Sequence, residues 1–137
     1  MNEQNTEYLC KTYPQLYDMS KPPTESLMCF GFPDDGWFNL IKDLSDKIVA
    51  TGVKVHVVQV KEKFGTLRYY VDIATGTSRE DVEKVYRLIS EAEAKSEVTC
   101  EVCGEPGKLR QGGWIKCLCD IHANGREEFT PLKSFSI

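Results

Sequence analysis

From residue 35 to residue 51 the apolar positions Trp37, Leu40, Ile41, Leu44 and Ile48 recur every three or four places. That period predicts an amphipathic helix from about Asp35 to Thr51, with Asp34 or Asp35 as its cap and Gly52 as its stop. Lys42, Asp43, Asp46 and Lys47 fall on the opposite face, an ordinary solvated surface. The period then shortens to two. Val53–Val60 is dense in β-branched residues, and Thr66–Ile73 alternates strictly, with Leu67, Tyr69, Val71 and Ile73 on one face and Thr66, Arg68, Tyr70 and Asp72 on the other. The alternation of the first segment slips between Val57 and Val58, which a β-bulge or a strand covered on both faces would explain. Lys61 to Gly65 are expected to turn the chain and join the two segments as an antiparallel hairpin.

The helical period returns after that. Thr77-Ser78-Arg79-Glu80 reads as a capping box, and Val82, Val85, Tyr86, Ile89, Ala92 and Ser96 carry a stripe to about Ser96. Ahead of these elements lie Tyr8, Leu9, Tyr13, Leu16 and Tyr17, interrupted by Pro14 and then by Pro22-Pro23. One or two short helices, an aromatic cluster packed on the main body and an extended connector are expected there. The fold class is α+β: an antiparallel hairpin with two amphipathic helices in the order α-β-β-α, both stripes laid on one face of the hairpin, plus a C-terminal zinc knuckle. The chain divides into an N-terminal extension (1–33), the α-β-β-α core (34–98), a Cys3His knuckle (99–123) and an irregular tail (124–137) that can dock Phe129 or Phe135.

At 137 residues and 41% apolar content the chain can bury a real core. No apolar run approaches the length of a membrane span, and the polar start Met1-Asn2-Glu3-Gln4-Asn5 lacks the blocks of a secretory signal, so a cytoplasmic protein is expected. A net charge of −4 argues against broad, sequence-independent nucleic-acid binding, although it leaves room for a local basic face.

The chemistry concentrates between Cys100 and His122. Cys100-Glu101-Val102-Cys103 followed by Gly104 can turn two thiolates onto one tetrahedral ion, and Cys119-Asp120-Ile121-His122 repeats the spacing, giving Cys-x2-Cys-x15-Cys-x2-His. Cys117 competes for the third position, but in an extended segment it is expected to diverge from Cys119, which leaves it a spare thiol. Buried reduced cysteines or disulfides are the alternative, which two pairs converging with a histidine outweigh. Four protein ligands leave no open position, so the expected cofactor is one structural Zn2+ and not a catalytic one. Three thiolates and an imidazole sum to about minus one on a divalent ion. Lys108, Arg110 and Lys116 in the intervening loop can offset that charge or face a partner, and Trp114 either covers the zinc or anchors an interface.

Lys61-Glu62-Lys63-Phe64-Gly65-Thr66-Leu67-Arg68 is the second informative stretch, with three cations, one aromatic and one glycine in eight residues. A charged hairpin edge that resists aggregation accounts for it. It also suits phosphates or an acidic partner, with Tyr70 beside Arg68 for stacking. The candidate binding set is therefore Lys61, Lys63, Phe64, Arg68, Tyr70, Lys108, Arg110 and Trp114. No catalytic residue is assigned. Only His56 and His122 exist, His122 is committed to metal, and no His-x-Glu precedes the first Cys pair as a zinc deaminase would need.

Gly36-Trp37-Phe38-Asn39-Leu40-Ile41, Val60 to Arg68, and Cys100 to Gly104 with Gly113-Trp114 and Cys119 to His122 together resemble a family of small uncharacterised proteins encoded by phages and prophages. The resemblance covers roughly residues 36 to 123. It implies a phage accessory protein made in the host bacterial cytoplasm, with no assigned activity, and it favours Cys119 over Cys117 because cysteine is unusual at the latter position in the family. The function expected on this basis is a non-enzymatic zinc-stabilised binding protein that inhibits or redirects a host factor, in an anti-defence role, by contact with a host protein or by capture of a signalling nucleotide. The alternative is a nucleic-acid-binding zinc protein that uses the basic hairpin and the knuckle loop. No membrane partner is expected, and a homodimer through the hairpin edge is compatible with the sequence though nothing demands one.

Overall fold

A computed structural model describes residues 1–130. The order is α1 (Glu3–Thr12), a 3-10 turn (Met28–Phe30), a second 3-10 turn (Asp35–Trp37), α2 (Phe38–Ala50), β1 (Val55–Lys63), β2 (Thr66–Ile73), α3 (Arg79–Ser96), β3 (Lys108–Arg110) and β4 (Lys116–Leu118). The expected α+β class with an antiparallel hairpin stands. α1 is one of the short helices expected ahead of the core, and the small second hairpin β3–β4 adds to the expected fold.

The hairpin is longer and tighter than its sequence suggests. β1 pairs with β2 from Val55↔Ile73 to Lys63↔Thr66, so Lys61 to Lys63 belong to the strand and only Phe64-Gly65 turn. Both turn residues have positive φ, +55° and +77°, as a two-residue hairpin turn demands. The register slips between Val57 and Gln59, which places the bulge at Val58 where the alternation breaks. The carbonyl freed there accepts the Leu27 N–H at 2.8 Å, while Val57 N–H donates to Leu16 at 2.9 Å. The bulge is thus what fastens the segment before α2 to the outer edge of β1.

The helix caps differ from expectation. α2 begins at Phe38 after a 3-10 turn, and neither Asp34 nor Asp35 caps it. Asp35 instead accepts from the backbone N–H of Asn2 at 2.7 Å and the amide of Asn5 at 3.2 Å, which pins the start of α1. The α3 cap is Ser78, one residue later than the box read from Thr77, and it accepts from Asp81 N–H at 3.1 Å. Thr77 is occupied by the Ala74 carbonyl, so its hydroxyl closes the preceding turn.

One core joins α1, the segment behind it, α2, the hairpin and α3: Leu9, Tyr13, Leu16, Tyr17 and Met28 cluster with Trp37, Ile41, Ile48, Leu67 and Val85. The expected packing of the N-terminal aromatics on the main body is realised, with Tyr17 donating or accepting at 2.6 Å with Ser45 and 2.8 Å with Tyr69. Three buried hydroxyls satisfy one another, which removes the cost of about 1–3 kcal/mol that a lone buried hydroxyl carries. α3 packs on both β2 and α2. Its Ser96 hydroxyl and Glu93 carboxylate accept the outward N–H groups of Leu67 and Tyr69 at 2.8 and 3.0 Å, so this stretch of the β2 edge is sealed against another strand. Tyr86, counted in the α3 stripe, is exposed. Phe129 donates its N–H to Leu109 at 2.8 Å, whereas Phe135 lies outside the described residues.

Candidate functional site

The knuckle is built by short-range backbone geometry. Gly104 turns at a φ of +82°, its N–H donates to the Cys100 carbonyl at 2.9 Å, and Cys100 N–H donates to Glu105 at 2.7 Å. The second pair arrives on the β3–β4 hairpin, whose register is Lys108↔Leu118, Leu109↔Cys117 and Arg110↔Lys116. Cys100, Cys103, Cys119 and His122 come together with their ligand atoms all within 4.8 Å of one another, a set that can hold a single metal ion.

The spacing of those atoms tests the fit. A tetrahedral ion with bonds of about 2.3 Å to sulfur and about 2.1 Å to nitrogen would hold two sulfurs about 3.8 Å apart and a sulfur and a nitrogen about 3.6 Å apart. Cys103 Sγ and Cys119 Sγ stand at 3.7 Å, and His122 Nδ1 lies 3.2 Å from Cys119 Sγ and 3.9 Å from Cys100 Sγ. The donor set fits. Burial opposes ionisation of Cys100, yet backbone N–H groups of Cys119, Cys103 and Val102 around its sulfur outweigh that and bring the thiol down to about 7. Cys103 is the exposed member and borders a polar hollow of about 330 Å³ that Asn39 and Lys95 also line.

Cys117 goes elsewhere. Its Sγ donates to the Glu97 carbonyl at 3.3 Å, it packs with the main core, and burial pushes its thiol up to about 12. The divergence from Cys119 is not a strand effect, since residues two apart on one strand share a face. β4 ends at Leu118, and the chain leaves the strand there, which carries Cys119 into the separate cluster with Cys100 and Leu118.

Two of the three loop cations are engaged within the chain. Arg110 is only 8% exposed, and its guanidinium donates to the Leu118 carbonyl at 3.1 Å and to Asp120 at 2.8 Å. It braces the turn between Leu118 and the second ligand pair instead of facing outward. Lys116 reaches Glu101 at 3.0 Å, and Glu101, 2% exposed, also accepts Cys117 N–H at 3.2 Å. Burial raises the Glu101 carboxyl above its ordinary range even against the pull of Lys116. Lys108 remains exposed. Trp114 is 62% exposed, which a cover over the metal ligands would not be, and its carbonyl accepts from Arg126 at 2.6 Å.

Three stretches far apart in sequence meet at the knuckle. A Cβ on Gly36 would stand 2.3 Å from the Cys100 carbonyl oxygen, Gly36 N–H donates to Glu101 at 2.9 Å, and Trp37 Nε1 donates to Thr99 at 2.9 Å. A Cβ on Gly65 would stand 2.7 Å from Leu109 and 3.1 Å from Cys117 N. The entry to α2 and the tip of the hairpin therefore rest directly on the backbone of the segment that carries the Cys/His cluster. Sequence reasoning missed this docking, because a glycine needed for close approach reads the same as one needed for a turn.

The hairpin face turned away from the core carries the remaining candidates. Pairing puts Gln59 beside Tyr70, Lys61 beside Arg68 and Lys63 beside Thr66. Tyr70 is 45% exposed and Phe64, at the tip, 57%. Lys63 Nζ lies 5.7 Å from the Phe64 ring centroid, and Arg68 Nε is a buried donor with no acceptor among the described residues. Among the described residues no carboxylate pairs with Lys61, Lys63 or Arg68, in contrast to Lys116 and Arg110. No described helix is long and apolar enough to cross a membrane. No protein-family model, curated protein or solved structure matches the chain.

Proposed function

We propose that this chain is a non-enzymatic, zinc-stabilised binding protein of phage origin that engages a host factor in the bacterial cytoplasm through the outward face of its basic hairpin. Zinc is the reading for the ion because three sulfurs and one imidazole at tetrahedral spacing suit a borderline-soft divalent metal, and four protein ligands close the site to substrate. The metal then serves to fix the knuckle, and the knuckle in turn supports the hairpin tip through Gly65.

The observation that carries the binding role is the contrast among cations. Lys116 and Arg110 each pair with a carboxylate of the chain, Glu101 and Asp120, while Lys61 and Arg68 stand side by side on the outward sheet face with no carboxylate paired to them among the described residues. Like charges directly opposite on a sheet cost stability, and an anionic partner would relieve that cost. The test is a Lys63→Glu, Arg68→Glu double change in tagged protein recovered from infected host cells and analysed by native mass spectrometry. Wild type is expected to bring a stoichiometric host factor that the variant loses while keeping its fold and one zinc. Retention of the same factor by the variant removes the hairpin face from the proposal. Nucleic acid that departs at high salt would move the assignment to a nucleic-acid-binding zinc protein.

A further inference from the structure

The outward face of the hairpin is not flat. The connector before α2 runs along one end of it, held to the bulge by the Leu27 N–H and, at 3.4 Å, the Ser26 hydroxyl, both donating to the Val58 carbonyl. Between this wall and the strands lies a groove of about 350 Å³ lined by Pro23, Glu25, Leu27, Val58, Gln59 and Tyr70 among others. That volume is at the lower end of the range for small-molecule sites, about 300–1,000 Å³. Its lining has the composition such sites use: apolar and aromatic surface from Pro23, Leu27 and Tyr70, with an amide from Gln59 and a carboxylate from Glu25 as the polar groups.

The charges beyond the groove are ordered. Along an antiparallel pair, cross-strand rungs on one face repeat every two residues, about 6.8 Å. The Gln59/Tyr70 rung floors the groove, the Lys61/Arg68 rung follows it, and Lys63 stands one rung further toward the tip. A ribose spans the gap between a base and its 5′-phosphate on this scale. Glu25 at the walled end repels phosphate and accepts from amino groups, while the two cationic rungs attract phosphate and repel nothing a base carries. Arg68 Nε, closed off without an acceptor, gains one if the guanidinium moves toward an outside oxyanion.

We infer that this groove and ladder form a binding site for a nucleoside di- or triphosphate with an amino-bearing base, the base stacked on Tyr70 between Gln59 and Glu25 and the phosphates lying along Lys61, Arg68 and Lys63. The inference rests on the reading of the hairpin face as an anion-binding surface and names its ligand. The wall at the base end favours a single nucleotide over a polymer, because a continuing strand would collide with the 23–27 segment.

Calorimetric titration of the full-length, zinc-loaded chain tests it, with ADP and GDP as probes and adenosine, guanosine and inorganic pyrophosphate as controls. At least one of the two nucleotides is expected to bind at least tenfold tighter than both its nucleoside and pyrophosphate. Tyr70→Ala and Arg68→Ala are each expected to weaken it about tenfold or more, the range for a lost base stack or a lost charge-assisted contact. Lys63→Glu, at an exposed position where folding is not at stake, should weaken it as well and leave the nucleoside unaffected. If pyrophosphate binds as tightly as the nucleotides and Tyr70→Ala changes nothing, the face is an anion site and the nucleotide assignment is overturned. If neither nucleotide binds while the Lys63→Glu, Arg68→Glu variant still loses its host factor, the nucleotide site falls and the proposed function stands. If the variant keeps its host factor too, both fall.

Discussion

At the scale of single residues, position outweighs residue type. Cys117 and Cys119 are two residues apart and chemically identical, yet one sulfur faces His122 at 3.2 Å and the other donates to a helix-end carbonyl. Cys103→Ser is therefore expected to reduce metal content from one ion per chain to none, and Cys117→Ser to leave it at one, measured by inductively coupled plasma mass spectrometry on gel-filtered protein. Loss of metal in the second variant would make Cys117 a ligand. Asp46 gives a pH signature. The Tyr13 hydroxyl donates to it, burial works against that, and Lys42 adds its charge at 3.2 Å, with the net result that the carboxyl sits below its ordinary 3.8. A depressed folded pKa contributes stability above the ordinary value and loses it as pH falls through the lower one. Asp46→Asn should be less stable than wild type at neutral pH and lose less stability between about pH 5 and about pH 2, read from urea midpoints across that range. Parallel acid curves for the two proteins would refute the linkage.

At the scale of elements, caps and edges decide more than stripes do. The periodicity of α3 located the helix, but its start belongs to Ser78, whose hydroxyl takes the Asp81 N–H. Ser78→Ala should cost about 1 kcal/mol, seen as a lower urea midpoint at an unchanged slope. An effect within a few tenths would mean that the cap is not holding the helix. The hairpin, two strands alone, would be marginal in water. Here α3 closes one edge through Ser96 and Glu93, and the Leu16 and Leu27 backbone closes part of the other. Sheet-edge pairing as a route to a homodimer loses the Leu67, Tyr69 and Val57 N–H groups and the Val58 carbonyl it would need at those positions.

At the scale of the whole molecule, the segment that carries the Cys/His cluster is a support and not an appendage. Its backbone lies against Gly36 at the entry to α2 and against Gly65 at the hairpin tip, and the pair between half-buried Lys116 and buried Glu101 links its two halves. Stripping the ion with a strong chelator should lower the melting temperature by on the order of 10 °C and weaken any ligand held on the hairpin face, while much of the helical signal from α2 and α3 persists. Calorimetry and circular dichroism on chelated and reloaded protein check this. An unchanged melting temperature after complete metal removal would show that the four ligands do not hold the fold.

Much of this protein was readable in its sequence. The two long helices, both strands of the long hairpin and the bulge near Val58 follow from side-chain period and turn residues acting within a few residues of each other, and the convergence of Cys100, Cys103, Cys119 and His122 follows from the repeated x2 spacing of two pairs fifteen residues apart. The tertiary structure decided what depends on contacts between distant segments. Arg110 turned from a candidate contact into a brace because Asp120 and the Leu118 carbonyl happen to face it. Gly36 and Gly65 became docking points because another backbone fills the space where a Cβ would stand. The groove beside Tyr70 exists because the connector meets the hairpin at its bulge, and no pattern confined to either segment encodes that meeting.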